Sequence, residues 1–357
     1  MIDDQPDPGR VTRGADPAAV GPYLAETLGD DRWLACTVDL ISGGKSNLTY
    51  VVESAAGALV LRRPPLGGVL PTAHDMVREY RVITALRDTA VPVPRTYALC
   101  EDPALLGAPF YLMERVAGPI VGRELPPGYA DRPEQRRRIG EGLIDVLAAL
   151  HAVDVEAVGL GDFGRPDGFL ARQVRRWSQQ WERTRIDDMP ALDRLAADLA
   201  TGLPTSGPAT LVHGDYRLDN TVLDPAQPGR IAAVLDWEMS TLGDPLADVG
   251  LLLVYWSDPD DAGARTDAMV TPAATAHEGF PRRREVVELY AARSGRDVSA
   301  LPWYQAFGFF KLAVVCAGIA ARHRAGAMIG DGFEDVGARV APLVDLGRVA
   351  LAEGVVE

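Results

Sequence analysis

Apolar and polar positions alternate in short runs between residues 34 and 62: LACTVDLI, the glycine-rich SGGKSN, LTYVVES, an AAG turn and ALVLRR. Period-two alternation cut by glycine-rich turns predicts antiparallel strands in a small sheet. Beyond PPLGGVLP the period lengthens. Met76, Tyr80, Ile83 and Leu86 recur at helical spacing across 73–88 with charges on the opposite face, so a helix should pack on that sheet. PVPRTYALC and FYLMERVAG supply two further strands, and the second runs into Gly118 and Pro119, where helix formers take over. These shifts place an N-terminal lobe over 21–115 and a C-terminal lobe over 116–357, after a disordered tail, 1–20, that is acidic and proline-rich.

The second lobe reads as mostly helical. A long helix is expected over 133–150, ending ALHAVD, and 169–200 carries Trp177 and Trp181 four apart on one helical face. Within it TLVHGD, NTVLD and RIAAVLDWE read as short strands, the middle pair turning at PAQPG, so two charged sequences share one small platform. AFGFFKLAVVCAGIAA, 306–321, is interrupted by Lys311 and falls short of the ~20 residues a membrane span needs; it reads as a buried helix. The pattern as a whole predicts a bilobal α+β fold: a small antiparallel sheet with one main helix, then a larger, mostly α lobe carrying a hairpin.

Composition narrows the function. A formal net charge of -14 repels the phosphate backbone, which excludes nucleic acid as a partner. The opening residues lack the apolar core of a leader or anchor, so no membrane association is expected. Cys36, Cys100 and Cys316 lie far apart with no paired metal spacing, which suits a reducing cytoplasm. Only Lys45 and Lys311 are lysines, so arginine carries nearly all the positive charge. No segment marks a protein partner.

LVHGDYRLDN, 211–220, crowds a histidine, two aspartates, an arginine and an asparagine behind a short apolar run. Asp215 and Asn220 are five apart across a loop, and Asp236 ends the strand expected to pair beside them. Two carboxylates and an amide oxygen suit Mg²⁺, a hard cation that keeps phosphates and waters in its other positions. Phosphoryl transfer uses such a set: one aspartate to orient a hydroxyl and accept its proton, an asparagine and a second aspartate to hold metal on nucleotide phosphates. Upstream, SGGKSN joins two strands as a phosphate-covering loop would, Arg62 ends the next strand, and Glu79 on the following helix is its expected ion-pair partner.

HGDYRLDN and VLDWE, in this order after SGGKSNLTY, LVLRRPP and REYRVI, resemble the aminoglycoside phosphotransferase and choline kinase group of protein-kinase-like enzymes, from about residue 20 onward. Together with DWEMSTLGDPLADVG they look most like the kinase-like domains fused to acyl-CoA dehydrogenases in animals. The resemblance implies an ATP-dependent transfer of phosphate to a hydroxyl on a small molecule, with Mg²⁺. It implies Asp215 as catalytic base, Arg217 as a clamp on the γ-phosphate, and Asn220 and Asp236 as metal ligands. It places nucleotide contacts at Ser42, Gly43, Gly44, Lys45, Ser46, Asn47, Arg62 and Glu79, and the adenine-facing hinge at Met113, Glu114 and Val116.

Two departures matter. Arg62 stands where the wider superfamily keeps a lysine; its larger fork reaches phosphate differently, and Lys45 is the alternative contact. Gly214 replaces the arginine of protein kinases, and Gly243 of the GDPLAD element follows Asp236 by only seven positions, so there is no room for an activation segment or peptide platform. A small acceptor is expected: a hydroxyacyl-CoA or hydroxy acid by one resemblance, an aminoglycoside, another antibiotic, choline or a sugar by the wider one. A catalytically silent nucleotide-binding regulator and, further off, a metal-dependent phosphohydrolase are the alternatives. His213, His151, Asp244 and Asp248 read as structural. Tyr255, Trp256 and the SDPDDAG run read as core and solvated loop, with an acceptor pocket as the alternative.

Overall fold

The computed structural model describes residues 14–41, 47–66, 74–185, 187–262, 264–268, 273–326 and 335–355. The chain divides into two compact units, 1–87 with 93–116 and 88–92 with 117–357.

In the first unit, helix α1 (Pro17–Leu28) begins where the Asp16 side chain accepts from Ala18 N at 2.9 Å and Pro17 supplies a ready-made helical φ. Residues 17–20, grouped with the tail on sequence, are its first turn; Ala15 and Val20 are fully buried. Leu34 and Ala35 of the expected strand start LAC instead end a 3-10 turn, Asp31–Ala35, capped by Asp30. Strands β1 (Thr37–Leu40), β2 (Leu48–Ser54) and β3 (Gly57–Arg63) lead to helix α2 (Met76–Leu86), strand β4 (Thr96–Cys100), the short helix α3 (Pro103–Leu106) and strand β5 (Phe110–Glu114). The sheet is antiparallel throughout, in the order β1-β2-β3-β5-β4.

Both faces of the sheet are covered, which is why β5 is buried almost without alternation. Successive residues of a strand point to opposite faces. Phe110 accordingly meets Tyr23 of α1, ring centroids 5.3 Å apart, while Tyr111 meets Tyr80 of α2 at 6.1 Å. The amphipathic pattern anticipates α2. The second covering helix, α1, escapes it because its buried face is short.

The second unit runs through α4 (Pro133–His151), α5 (Phe169–Thr184), α6 (Pro190–Thr201), β6 (Thr210–Val212), β7 (Thr221–Leu223), β8 (Ile231–Val234), β9 (Thr241–Gly243), α7 (Leu246–Tyr255), α8 (Ala264–Ala268), α9 (Arg283–Ser294), α10 (Leu301–Arg324) and α11 (Val340–Glu353). β7 and β8 form the expected hairpin, but β6 pairs with β9, so the charged sequences lie on two small sheets, not one. Helix α10 is long and apolar enough to cross a membrane by length and composition, with mean hydropathy 1.5 over 18 residues; 78% of that window is buried inside the protein. Its close crossing with α7 depends on Gly250, where a Cβ would stand 2.5 Å from the Tyr304 carbonyl carbon.

Candidate active site

β6 delivers the loop 213–220, and its entry is held by buried polar contacts. Asp248, in the first turn of α7, accepts from both His213 N and Gly214 N at 2.7 Å. His151 lies 3.2 Å from the same carboxylate through Nε2 and 2.8 Å from the Tyr290 hydroxyl through Nδ1. Burial alone would raise the Asp248 pKa, but the hydrogen bond and charge of His151 and the contacts from His213 hold it below the usual carboxylate range. The His213 ring lies 2.8 Å from Leu235 O and 4.7 Å from Trp237 between centroids, fully buried, in a structural role. Asp244 accepts from Leu246 N and the Tyr304 hydroxyl, bracing the start of α7. At Gly214, φ is +85° and a Cβ would sit 2.6 Å from Met239 O, so only glycine fits before Asp215.

Beyond Gly214 the loop brings the predicted residues together. Asn220, in the 3-10 turn Leu218–Asn220, donates from Nδ2 to Asp215 Oδ2 at 3.0 Å and to Asp215 O at 2.8 Å. Leu235 N donates to Asn220 O at 2.8 Å, which sets the adjacent Asp236 beside the same loop, in the left-handed region at φ +64°. Aspartate tolerates that conformation better than most residues. Arg217 Nε is 3.4 Å from Asp215 Oδ2, its Nη1 3.1 Å from Asp219 Oδ2, and its guanidinium stands 4.7 Å from the Tyr255 ring centroid. Burial pushes the Asp219 carboxyl up and Arg217 opposes that, while the neighbouring charges of Asp215 and Asp236 push it further up. Burial works against the Arg217 cation, yet Asp215 and Asp219 outweigh it and raise its pKa. Asp219 was not anticipated; it occupies a variable position of the motif and carries no signal beyond its charge.

In the first unit Arg62 Nε lies 3.1 Å from both carboxylate oxygens of Glu79, and Glu79 is 1% exposed. Asn47 is buried, Met113 and Glu114 close β5 with Glu114 N donating to Arg95 O at 2.7 Å, and Val116 is half-buried just beyond. Ser42, Gly43, Gly44, Lys45 and Ser46 lie outside the described residues.

Residues 37–286 match the model of the phosphotransferase enzyme family, APH. The chain belongs to this family. It is also 37% identical over 324 residues to acyl-CoA dehydrogenase family member 10 of Mus musculus and 36% identical over 312 residues to family member 11 of Rattus norvegicus, covering 89% and 85% of this chain. The chain spans only 30% and 39% of those relatives' lengths. Among solved structures, one from Ralstonia eutropha JMP134 described as "a putative aminoglycoside phosphotransferase" is 33% identical, with TM-score 0.78 over 94% of this chain and 98% of that one. The macrolide 2'-phosphotransferase of Brachybacterium faecium, at 19% identity and TM-score 0.56 over 91% and 98%, shares the fold.

Arg62, expected where the wider group keeps a lysine, pairs with the Glu79 carboxylate of α2. A cavity of about 80 Å³ opens beside Arg217, lined also by Arg123, Leu218, Leu252, Tyr255 and Trp256. The SDPDDAG run divides. Asp258 and Asp261 are bound to Arg283, at 3.3 Å for Asp258, and take no part in this cavity. Trp256, only 1% exposed, is core as well as wall; its indole N–H donates to Pro281 O at 2.8 Å.

The residues also fit a hard cation. Giving its NH₂ group to Asp215 leaves the Asn220 carbonyl oxygen as a hard ligand beside Asp236. Among the described residues no group of three or more His, Cys, Asp or Glu forms a metal cluster.

Proposed function

We propose that the protein is an ATP-dependent phosphotransferase that moves the γ-phosphate to a hydroxyl of a small molecule. The observation that carries this reading is the Asn220 amide fixed on the Asp215 carboxylate at 3.0 Å, with Arg217 on the same carboxylate at 3.4 Å. Asp215 orients the acceptor hydroxyl and takes its proton; the acceptor oxygen bonds to the γ-phosphorus as the bond to the ADP oxygen breaks. Arg217 spreads charge on the transferring group. Asn220 and Asp236 hold Mg²⁺, which supplies charge neutralisation on the phosphates. Arg62, fixed by Glu79, Asn47 and the Ser42–Ser46 loop take the nucleotide phosphates, and Met113, Glu114 and Val116 meet the base. A limit between the two lobes at 115/116 follows the same reading.

For the acceptor, the cavity beside Arg217 is walled by Leu218, Leu252, Tyr255 and Trp256; its one carboxylate among the lining residues, Asp219, is paired with Arg217, and it carries a second guanidinium, the exposed Arg123. That combination favours an anionic hydroxy acid or hydroxyacyl thioester with an apolar body over a polycationic aminoglycoside. The acyl-CoA chemistry named in the mouse and rat relatives points the same way. The test is transfer of labelled γ-phosphate to a panel of hydroxyacyl-CoAs, free hydroxy acids, aminoglycosides and amino alcohols, with product mass as readout. Phosphorylated aminoglycoside with untouched hydroxy acids would overturn the acceptor class; nucleotide bound but never consumed would indicate a silent regulator.

A further inference from the structure

We propose that Lys311 is a positioning residue for the transfer step, fixing the peptide that carries Asp215. This rests on the reading of Asp215 as the base. Lys311 is one of two lysines in the chain and interrupts the apolar stretch of α10, beyond the residues 37–286 that match the family. It is part-buried, and among the described residues no carboxylate lies within ion-pair distance. A cation so placed is costly unless its surroundings compensate.

Its surroundings converge on the catalytic loop. Lys311 Nζ donates to Gly214 O at 3.0 Å and stands 5.5 Å from the Trp177 ring centroid of α5. It borders a cavity of about 50 Å³ shared with Phe169, Gln173, Trp177, Met239 and Phe307. Gly214 is therefore held on both sides, its N–H by Asp248 and its carbonyl by Lys311. The Gly214–Asp215 peptide is oriented by the Lys311 bond on its carbonyl together with the Asp215 N–H donating to His213 Nδ1 at 3.3 Å, and its orientation sets the direction in which the Asp215 side chain leaves the backbone. Packing does not call for a cation here, since a methionine would fill the same space.

The charged groups facing the ammonium are Asp215 and Asp248, which favour it, and Arg176 and Arg217, which oppose it. Burial dominates and lowers the Lys311 pKa. The ammonium is lost earlier than an ordinary lysine as the medium turns alkaline.

The experiment compares Lys311→Met, Lys311→Arg and Asp215→Asn with the wild type in the full chain, measuring kcat, nucleotide affinity, melting temperature and the pH profile of kcat. Misplacement of a reacting group by ~1 Å costs about 10²-fold, so folded Lys311→Met should lose about that much kcat with nucleotide affinity retained. Lys311→Arg should recover part of the loss and carry the alkaline decline of kcat to higher pH than wild type. Wild-type kcat in folded Lys311→Met overturns the proposal, as do equal losses in both variants accompanied by parallel loss of nucleotide affinity. Should Lys311→Met not fold, an unshifted alkaline limb in Lys311→Arg overturns it. If Asp215→Asn abolishes turnover while Lys311→Met does not, only the role of Lys311 falls; if Asp215→Asn is fully active, the base and its positioning residue fall together.

Discussion

Two arginines in this protein hold carboxylates in opposite ways. Arg62 and Glu79 are 11% and 1% exposed and pair inside the first unit, with Arg62 Nε 3.1 Å from the carboxylate. Arg217 touches Asp215 and Asp219 and is influenced by Asp236, so one guanidinium serves three carboxylates at a partly open loop. A buried pair of this kind locks geometry at the end of β3. The loop that carries this cluster is held from outside it, by Asp248, which takes the hydrogen bonds at its entry.

Four measurements sharpen or break this contrast. Asp236→Ala should have the largest effect, lowering turnover by about 10³-fold, because metal charge neutralisation is worth several kcal/mol; Mg²⁺ titration of phosphate transfer checks it, and the melting temperature should hardly move. Arg62→Ala strips the buried Glu79 of its guanidinium and should cost about 3–5 kcal/mol of stability in denaturant unfolding. A negligible loss would place Arg62 with the open cluster instead. Arg217→Met should reduce kcat by about 10²-fold, the typical worth of one donor on a developing charge, with little change in stability.

The smallest effect is expected at Asp219. Its folded pKa is raised, so its ionisation opposes folding above that pKa, and the penalty disappears below the unfolded value near 4. Asp219→Asn should therefore slightly raise the melting temperature at pH 7, with the gain vanishing under acid conditions; a gain largest in acid would reverse the assigned sign.

Much of the fold was legible because its elements carry their own punctuation. Residues 73–88 show a single amphipathic face, observed as α2, and the turn PAQPG between apolar runs announces the β7–β8 hairpin. The pairing of β6 with β9 was not legible, since both strands are three residues long and a strand that short carries no register signal. Nor was the break between α5 and α6, where Trp181 Nε1 donates to Asp193 at 2.8 Å across the turn. In the candidate site, the spacing of Asp215, Asn220 and Asp236 was readable, and so was the pairing of Arg62 with Glu79. The involvement of Asp219 and Lys311 was not, because neither belongs to a local pattern.

What the amino-acid order determines by itself is the set of short-range commitments: a glycine where φ is +85°, a helix opened by Asp16 and Pro17, a loop of four residues between Asp215 and Asn220. Only the tertiary structure decides which distant groups complete them. Asp248, His151 and Lys311 reach the loop from three different helices, and their meeting depends on how those helices pack. Local steric preference is written in neighbouring residues, whereas the cancellation of buried charge depends on atoms up to 97 positions apart along the chain.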